Sequence, residues 1–198
     1  MDEIVIKGMA KWPNVPSVYD WLALDRRGNW LLKGEKISNP VIANFIGRNY
    51  ACDEQGRWFF QNGPQRVYVA LEYVPLIYRV TRASEHTSIF DMQRGKQASS
   101  ANAAWMDEHG ALLLETSEGV GLVHDHDMMD VLATFVDANA ATLNDAQLEQ
   151  RVNAIRRGAE TELFLDVNGA LVRLRPIASG DVAAAFGFDP TPRSRDSL

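Results

Sequence analysis

Short apolar runs alternate along the chain with polar segments. Four of these segments read Asp-x-x-Gly: Asp25-Arg26-Arg27-Gly28, Asp53-Glu54-Gln55-Gly56, Asp107-Glu108-His109-Gly110 and Asp166-Val167-Asn168-Gly169. An Asp side chain accepts a hydrogen bond from the backbone two residues on, and a Gly takes the positive φ that closes a short hairpin. Each segment therefore predicts strand, tight turn, strand. Trp21-Leu22-Ala23-Leu24 enters the first turn and Trp30-Leu31-Leu32 leaves it, while Ala103-Ala104-Trp105-Met106 and Leu112-Leu113-Leu114 flank the third. A helix over residues 40–48 lies between the first two turns, with Asn39 as its cap and Pro40 at its first position. A second helix, over 128–137, lies between the last two, on the stripe Met128, Val131, Leu132, Phe135 and Val136. The arrangement predicts an internal duplication. The paired turns are 28 residues apart in the first copy and 59 in the second, so the second carries an insertion, most of it within 138–158.

The remaining pattern fills in the elements. Ile4, Val5, Met9 and Ala10 give a helical rhythm that stops before Pro13. The face Val41, Ile42, Phe45 and Ile46 of the 40–48 helix is expected to be buried. Residues 58–60, 67–71, 76–80 and 86–90 read as strands of an antiparallel meander, and 91–95 as a turn. Asn144 with Gln147 forms a capping pair for a helix whose face carries Leu148, Val152 and Ile155, and Arg156-Arg157-Gly158 suits its end. Two strands surround the Asp166 turn, and a short helix over 179–186 follows. The fold class is α+β: two related halves, 1–95 and 101–188, each a mainly antiparallel sheet with β-hairpins and a packed helix. A disordered tail is expected over 189–198.

At 46% hydrophobic residues the chain has material for a packed core. No apolar run approaches the ~18 residues that span a bilayer, and the start lacks the order of a secretory signal, so a cytoplasmic protein without membrane insertion is expected. Cys52 is the only cysteine, which excludes an intramolecular disulfide and sites built from several thiolates; it reads as a small buried hydrophobe beside a strand. The net charge of −6 divides into +3 for residues 1–100 and −9 for 101–198. Neither half carries the dense cationic stripe that nucleic acid requires.

Candidate chemistry is sparse. His124-Asp125-His126-Asp127, with Asp130 nearby, follows the apolar run Gly121-Leu122-Val123 and joins imidazoles to carboxylates, a donor set for divalent metals. It partly resembles the metallo-β-lactamase pattern His-x-His-x-Asp-His, but Met128 and Met129 stand where that pattern has Asp and His. The alternative is that Asp125 or Asp127 caps the next helix. No Gly-x-Ser-x-Gly elbow or phosphate-binding glycine loop occurs. Gln61-Asn62-Gly63-Pro64-Gln65-Arg66 places amides, a Gly and a guanidinium between aromatic strands, which could hold an anionic ligand; alternatively Arg66 pairs with Glu72 or covers apolar surface. Trp21, Trp30 and Trp58 offer stacking surfaces or fill the core.

From Asp20 to about Val80 the chain resembles the proteobacterial family of unknown function DUF1285. The resemblance rests on the hairpin with Asp25, Gly28 and Trp30; Gly34 and Ile37 before a helix; the turn at Asp53 and Gly56; Gln65-Arg66-Val67-Tyr68-Val69; and Pro75-Leu76. It implies an α+β protein with duplicated motifs, a second half superficially like a pleckstrin-homology fold, a site between the halves, and signalling through ligand or partner binding with no catalytic activity. Trp30, Trp58, Arg66 and Pro75 match its motif, whereas Val74 departs from the small residue that precedes the family's proline. The expected function is thus a non-enzymatic module for a small molecule or a protein, without cofactor, with Arg66, Trp30, Trp58, Asn62, Gln65 and Tyr68 as candidate ligand-binding residues. The alternatives are a metal-dependent hydrolase centred on His124, His126 and Asp127, and a structural homo-oligomer built through an exposed sheet edge.

Overall fold

All four Asp-x-x-Gly segments close hairpins, and three of them share one hydrogen-bond set. In the computed structural model, which describes residues 1–12, 15–83, 86–98 and 100–194, Asp25 Oδ1 accepts from the N–H groups of Arg27 (2.9 Å) and Asn29 (2.8 Å), and Gly28 N–H donates to the Asp25 carbonyl. Asp53 does the same with Gln55 and Arg57, and Asp107 with His109 and Ala111. The Asp166 turn differs. Asn168 and Gly169 take φ values of 56° and 84°, which makes a two-residue hairpin loop.

The chain divides into two units. The first holds Met1–Pro75, Met92–Gly95 and the segment from Ala183; the second holds Leu76–Asp91 and Lys96–Val182. In the first, helix α1 (Glu3–Lys11) precedes strands β1 (Val18–Leu24), β2 (Trp30–Leu32) and β3 (Glu35–Lys36); helix α2 (Pro40–Arg48) follows, then β4 (Tyr50–Cys52), β5 (Trp58–Asn62) and β6 (Gln65–Leu71). Their order in the sheet is β3-β2-β1-β6-β5-β4, with β1 and β6 parallel and the other pairs antiparallel. Pro13, expected to end α1, lies outside the described residues. Of the segment 189–198, Asp189 bridges to Arg57 and Pro190 accepts from Leu71 N–H (2.8 Å), while residues 195–198 lie outside the described residues.

The second unit contains β7 (Leu76–Ala83), β8 (His86–Asp91), β9 (Lys96–Ala98), β10 (Ala103–Met106), β11 (Leu112–Thr116), β12 (Gly119–Val123), helix α3 (Met128–Leu132), β13 (Phe135–Val136), helix α4 (Asp145–Arg156), β14 (Phe164–Val167) and β15 (Ala170–Pro176). Helix α5 (Val182–Ala185) continues a 3-10 turn at Ser179–Asp181. The sheet order is β13-β14-β15-β10-β11-β12-β7-β8-β9. Read from β12 to β13 it repeats the first unit's order strand for strand, including one central parallel pair, β10 with β15. The chain is therefore an α+β protein of two related halves, the second extended by β7–β9.

The duplication aligns differently from the spacing of the Asp-x-x-Gly turns. Gln61 N–H donates to the Asn49 carbonyl (2.9 Å), and in the second copy Asp166 N–H donates to the Thr134 carbonyl (2.8 Å), so Asp166 corresponds to Gln61. The counterpart of Asp53 is Asp137, which makes the same turn: its Oδ1 accepts from Asn139 (2.8 Å) and Ala141 (3.0 Å). Ala140 stands there in place of Gly, at φ 60°. An L-residue in that region is strained by about 1 kcal/mol, so Ala140→Gly is expected to stabilise the protein by about 0.5–1 kcal/mol in urea unfolding.

The helix expected over 128–137 ends at Leu132. Phe135 and Val136 instead pair with Leu165 and Phe164, because their aromatic and β-branched side chains suit the strand that the core offers, and Thr134 turns the chain by donating from N and Oγ1 to the Val131 carbonyl. The helix over 145–156 carries the expected capping box of Asn144 and Gln147. No helix among the described residues is long and apolar enough to cross a membrane.

Candidate functional site

Strand alternation sorts the candidate residues of β5 and β6 onto two faces of the first unit's sheet. Phe60, Asn62, Gln65 and Val67 face α2, whereas Phe59, Arg66 and Tyr68 face away. Trp30 and Trp58 lie on the α2 side, buried around Tyr50 with ring centroids 5.0 and 4.8 Å from it; the Tyr50 hydroxyl donates to the Pro75 carbonyl (3.2 Å). Both indoles are thus core residues of this unit.

Among the described residues, helix α2 is anchored at one end only. At its C-terminus Ile46 and Gly47 are buried, Asn49 Oδ1 accepts from Asp2 N–H (2.7 Å), and Arg48 pairs with the Asp2 carboxylate (3.2 Å). The N-terminus is capped by Asn39, which accepts from Val41 N–H (2.9 Å), but it stands away from the sheet: Val41 is 73% and Ile42 48% exposed. The expectation that the whole apolar face of this helix is buried is therefore corrected. The pinned end and the lifted end leave a cavity of about 470 Å³ between helix and sheet.

Ile42, Phe45 and Ile46 form its roof, and Leu22, Leu32, Phe60 and Val67 its floor. Its rim carries Trp21, 51% exposed. A break in register between Val18 and Leu22, with Asp20 at φ 61°, swings Trp21 to this side, where Lys33 Nζ sits 4.0 Å from the indole centroid. The polar lining residues are Asn62 and Gln65. Trp21 was readable only as an aromatic, because its projection depends on a bulge that no local motif announces.

The opposite face holds a polar cleft of about 460 Å³ lined by Cys52, Asp53, Glu54, Gln55, Arg57, Phe59 and Arg66. Arg57 donates to Asp53 Oδ2 (2.9 Å) and to the Tyr68 hydroxyl (2.9 Å), and that hydroxyl donates to Asp53 (3.1 Å). Burial raises the Asp53 pKa, but the Arg57 side chain and the turn N–H groups outweigh it, and the carboxyl sits below its ordinary value. Arg66 lies over the Phe59 ring at 4.5 Å, covering apolar surface; Glu72 instead accepts from Arg26 N–H (3.0 Å). The cleft's two guanidiniums are matched by two carboxylates, so it presents little net charge to an anion. Cys52 is exposed at its edge, as the last residue of β4 where the chain enters the Asp53 turn, and the expectation of a buried thiol is corrected.

In the second unit His124 follows β12, its N–H donating to the Tyr78 carbonyl (2.9 Å). Its Nδ1 accepts from His126 N–H (3.2 Å), so the cap of the 3-10 turn at Asp125–Asp127 is an imidazole. Asp125 lies 3.0 Å from His124 Nδ1 and 3.9 Å from His126 Nε2, and one donor atom from each of the three residues falls within 4.8 Å of the others. Burial lowers the His124 pKa and favours the neutral ring that a metal needs. Asp127 is turned away from this group. It is held by Arg79 in two bonds (2.6 and 2.7 Å) and accepts from Val80 N–H (2.9 Å).

Two solved structures of DUF1285 family proteins are similar to this chain. A DUF1285 family protein from Silicibacter pomeroyi DSS-3 matches 83% of this chain over 85% of its own, with a TM-score of 0.53 and 14% identity. A DUF1285 family protein from Shewanella baltica OS155 matches 65% over 97% of its own, with a TM-score of 0.45 and 15% identity. Identities this low express likeness of fold alone. The chain belongs to the family described as "Protein of unknown function (DUF2946)", whose model matches residues 1–193. No curated protein matches it.

Proposed function

We propose that the protein is a non-enzymatic binding module whose site is the apolar groove beneath α2. The observation that carries this reading is the groove's lining: apolar walls relieved only by two amides, with no acid, base or nucleophile among the lining residues. Such a lining gains affinity by burying apolar surface, at about 25 cal/mol per Å², and fixes orientation through a few polar groups. The setting we assign it is signalling, which the DUF1285 resemblance implies.

Titration with decanoate and with the dye 1-anilinonaphthalene-8-sulfonate tests the reading. Ile42→Asp puts a charge on the roof at a half-exposed position, so binding is expected to weaken at least tenfold with less than about 1 kcal/mol change in stability. Equal binding by the wild-type and Ile42→Asp proteins would remove the groove from consideration.

A further inference from the structure

The second copy shows what covers the equivalent groove. Val131 corresponds to Ile46, since the carbonyls of both accept from the residue immediately before the next strand, Thr134 and Asn49; Asp127 therefore stands where Ile42 stands. Leu122 pairs with Leu113 as Lys36 pairs with Leu31, so β12 corresponds to β3. In the second unit an extended segment lies along this place. β7 adds to β12 in parallel, with Leu76, Ile77 and Tyr78 opposite Gly121, Leu122 and Val123. Val80 N–H and the Arg79 side chain bind Asp127, and Arg82 donates to the Ala133 carbonyl at the end of α3. From β8, Thr87 exchanges two hydrogen bonds with the Asn168 side chain (2.7 and 2.8 Å), on the hairpin that matches Asn62–Gln65. Strands β7 and β8 thus reach both ends of the site that the first unit leaves open.

In the first unit β3 ends the sheet, and among the described residues no strand pairs with its outer side. Resting on the binding-module reading, we infer that the groove's occupant is an extended segment of another protein that adds to β3 in parallel, as β7 adds to β12, and lays alternate apolar side chains under α2. Main-chain bonds to the edge supply affinity and the groove selects the side chains. Ile42 in place of Asp127 calls for an apolar residue where β7 has Arg79. Exposed Lys33 and Lys36 outnumber the one exposed acid at this edge, Glu35, and the net positive charge favours acidic residues flanking that strand.

The probe is a seven-residue peptide of alternating valine and threonine with glutamate at each end, tested on the full chain beside a copy N-methylated at alternate amides. The unmethylated peptide is expected to slow hydrogen exchange of the amides at residues 34–38 at least tenfold. Methylation, which removes donors but keeps the apolar side chains, is expected to weaken binding at least tenfold, and Ile42→Asp to abolish the protection while leaving the circular dichroism unchanged. Binding of decanoate or the dye without protection by the peptide overturns the inference and leaves the binding-module reading standing. If neither peptide nor small probes bind, both fall.

Discussion

Gly47→Ala is expected to destabilise the protein by about 3 kcal/mol, although it replaces a glycine inside a helix. In an exposed helix that change is stabilising by about 1 kcal/mol, because alanine has less backbone entropy to lose. Here a Cβ would lie 1.7 Å from the carbonyl oxygen of Gln93 and 2.9 Å from its carbon. Both are backbone atoms, so the obstruction cannot swing aside as a side chain does; α2 or the turn at 92–95 must move, and overpacking of this kind typically costs 1–3 kcal/mol and occasionally more. Gly8→Ala in α1 is the control. Its Cβ would meet Gly63 at 3.4 Å and Pro64 at 3.5 Å, ordinary contact, and the helical gain should survive. Urea unfolding of the two variants should therefore move the midpoint in opposite directions. A neutral Gly47→Ala would mean that the C-terminal end of α2 is not pinned, and with it would go the explanation of why the other end stands off the sheet.

The fold was legible wherever its cause is local. Asp25, Asp53, Asp107 and Asp166 announce their turns because the carboxylate, the amide it binds and the glycine all sit within four residues. Asp137 makes the same turn and was missed, since Ala140 hides the positive φ. That omission also misaligned the duplication, because Asp166 was matched to Asp53 when it corresponds to Gln61. Phe135 and Val136 fit a helical stripe equally well. What assigns them to β13 is pairing with β14, some thirty residues on, which no window around them contains. The parallel pairs β1–β6, β10–β15 and β7–β12 share that remoteness.

The placement of the candidate residues was legible in part. Asn62 and Gln65 do border the groove, and Arg66 and Tyr68 do belong to a polar network, but period-two alternation puts the two pairs on opposite faces. Grouping them by sequence proximity merged residues of two opposite faces. The groove itself could not be read from the sequence. An apolar stripe such as Val41, Ile42, Phe45 and Ile46 says that a helix face seeks burial, and whether the chain or a partner covers it depends on where each end is tethered.

Asp127→Ala is expected to lower stability by about 2–3 kcal/mol, the range for losing charge-assisted hydrogen bonds when a buried partner is left behind. The carboxylate is buried while Arg79 is partly exposed, so the larger share of the loss falls on the Val80 N–H that Asp127 satisfies at 2.9 Å. Burial raises the Asp127 pKa, but the two bonds from Arg79, the Val80 N–H and the neighbouring charges outweigh it, leaving the carboxyl below its ordinary 3.8. A folded-state pKa depressed in this way contributes stability that is complete above the unfolded value and disappears as pH falls through the folded one. The wild-type protein should therefore lose this contribution below about pH 3.8, and Asp127→Ala should lack that segment of the pH–stability profile. The first copy supplies the companion experiment, because Ile42 occupies the same place with no ion pair. Arg79→Leu with Asp127→Ile replaces the pair by apolar groups but still leaves the Val80 N–H without its carboxylate, so the double variant should recover part, less than half, of the loss shown by Asp127→Ala. A double variant no more stable than the single one would show that the ion pair, rather than burial, holds β7 against α3.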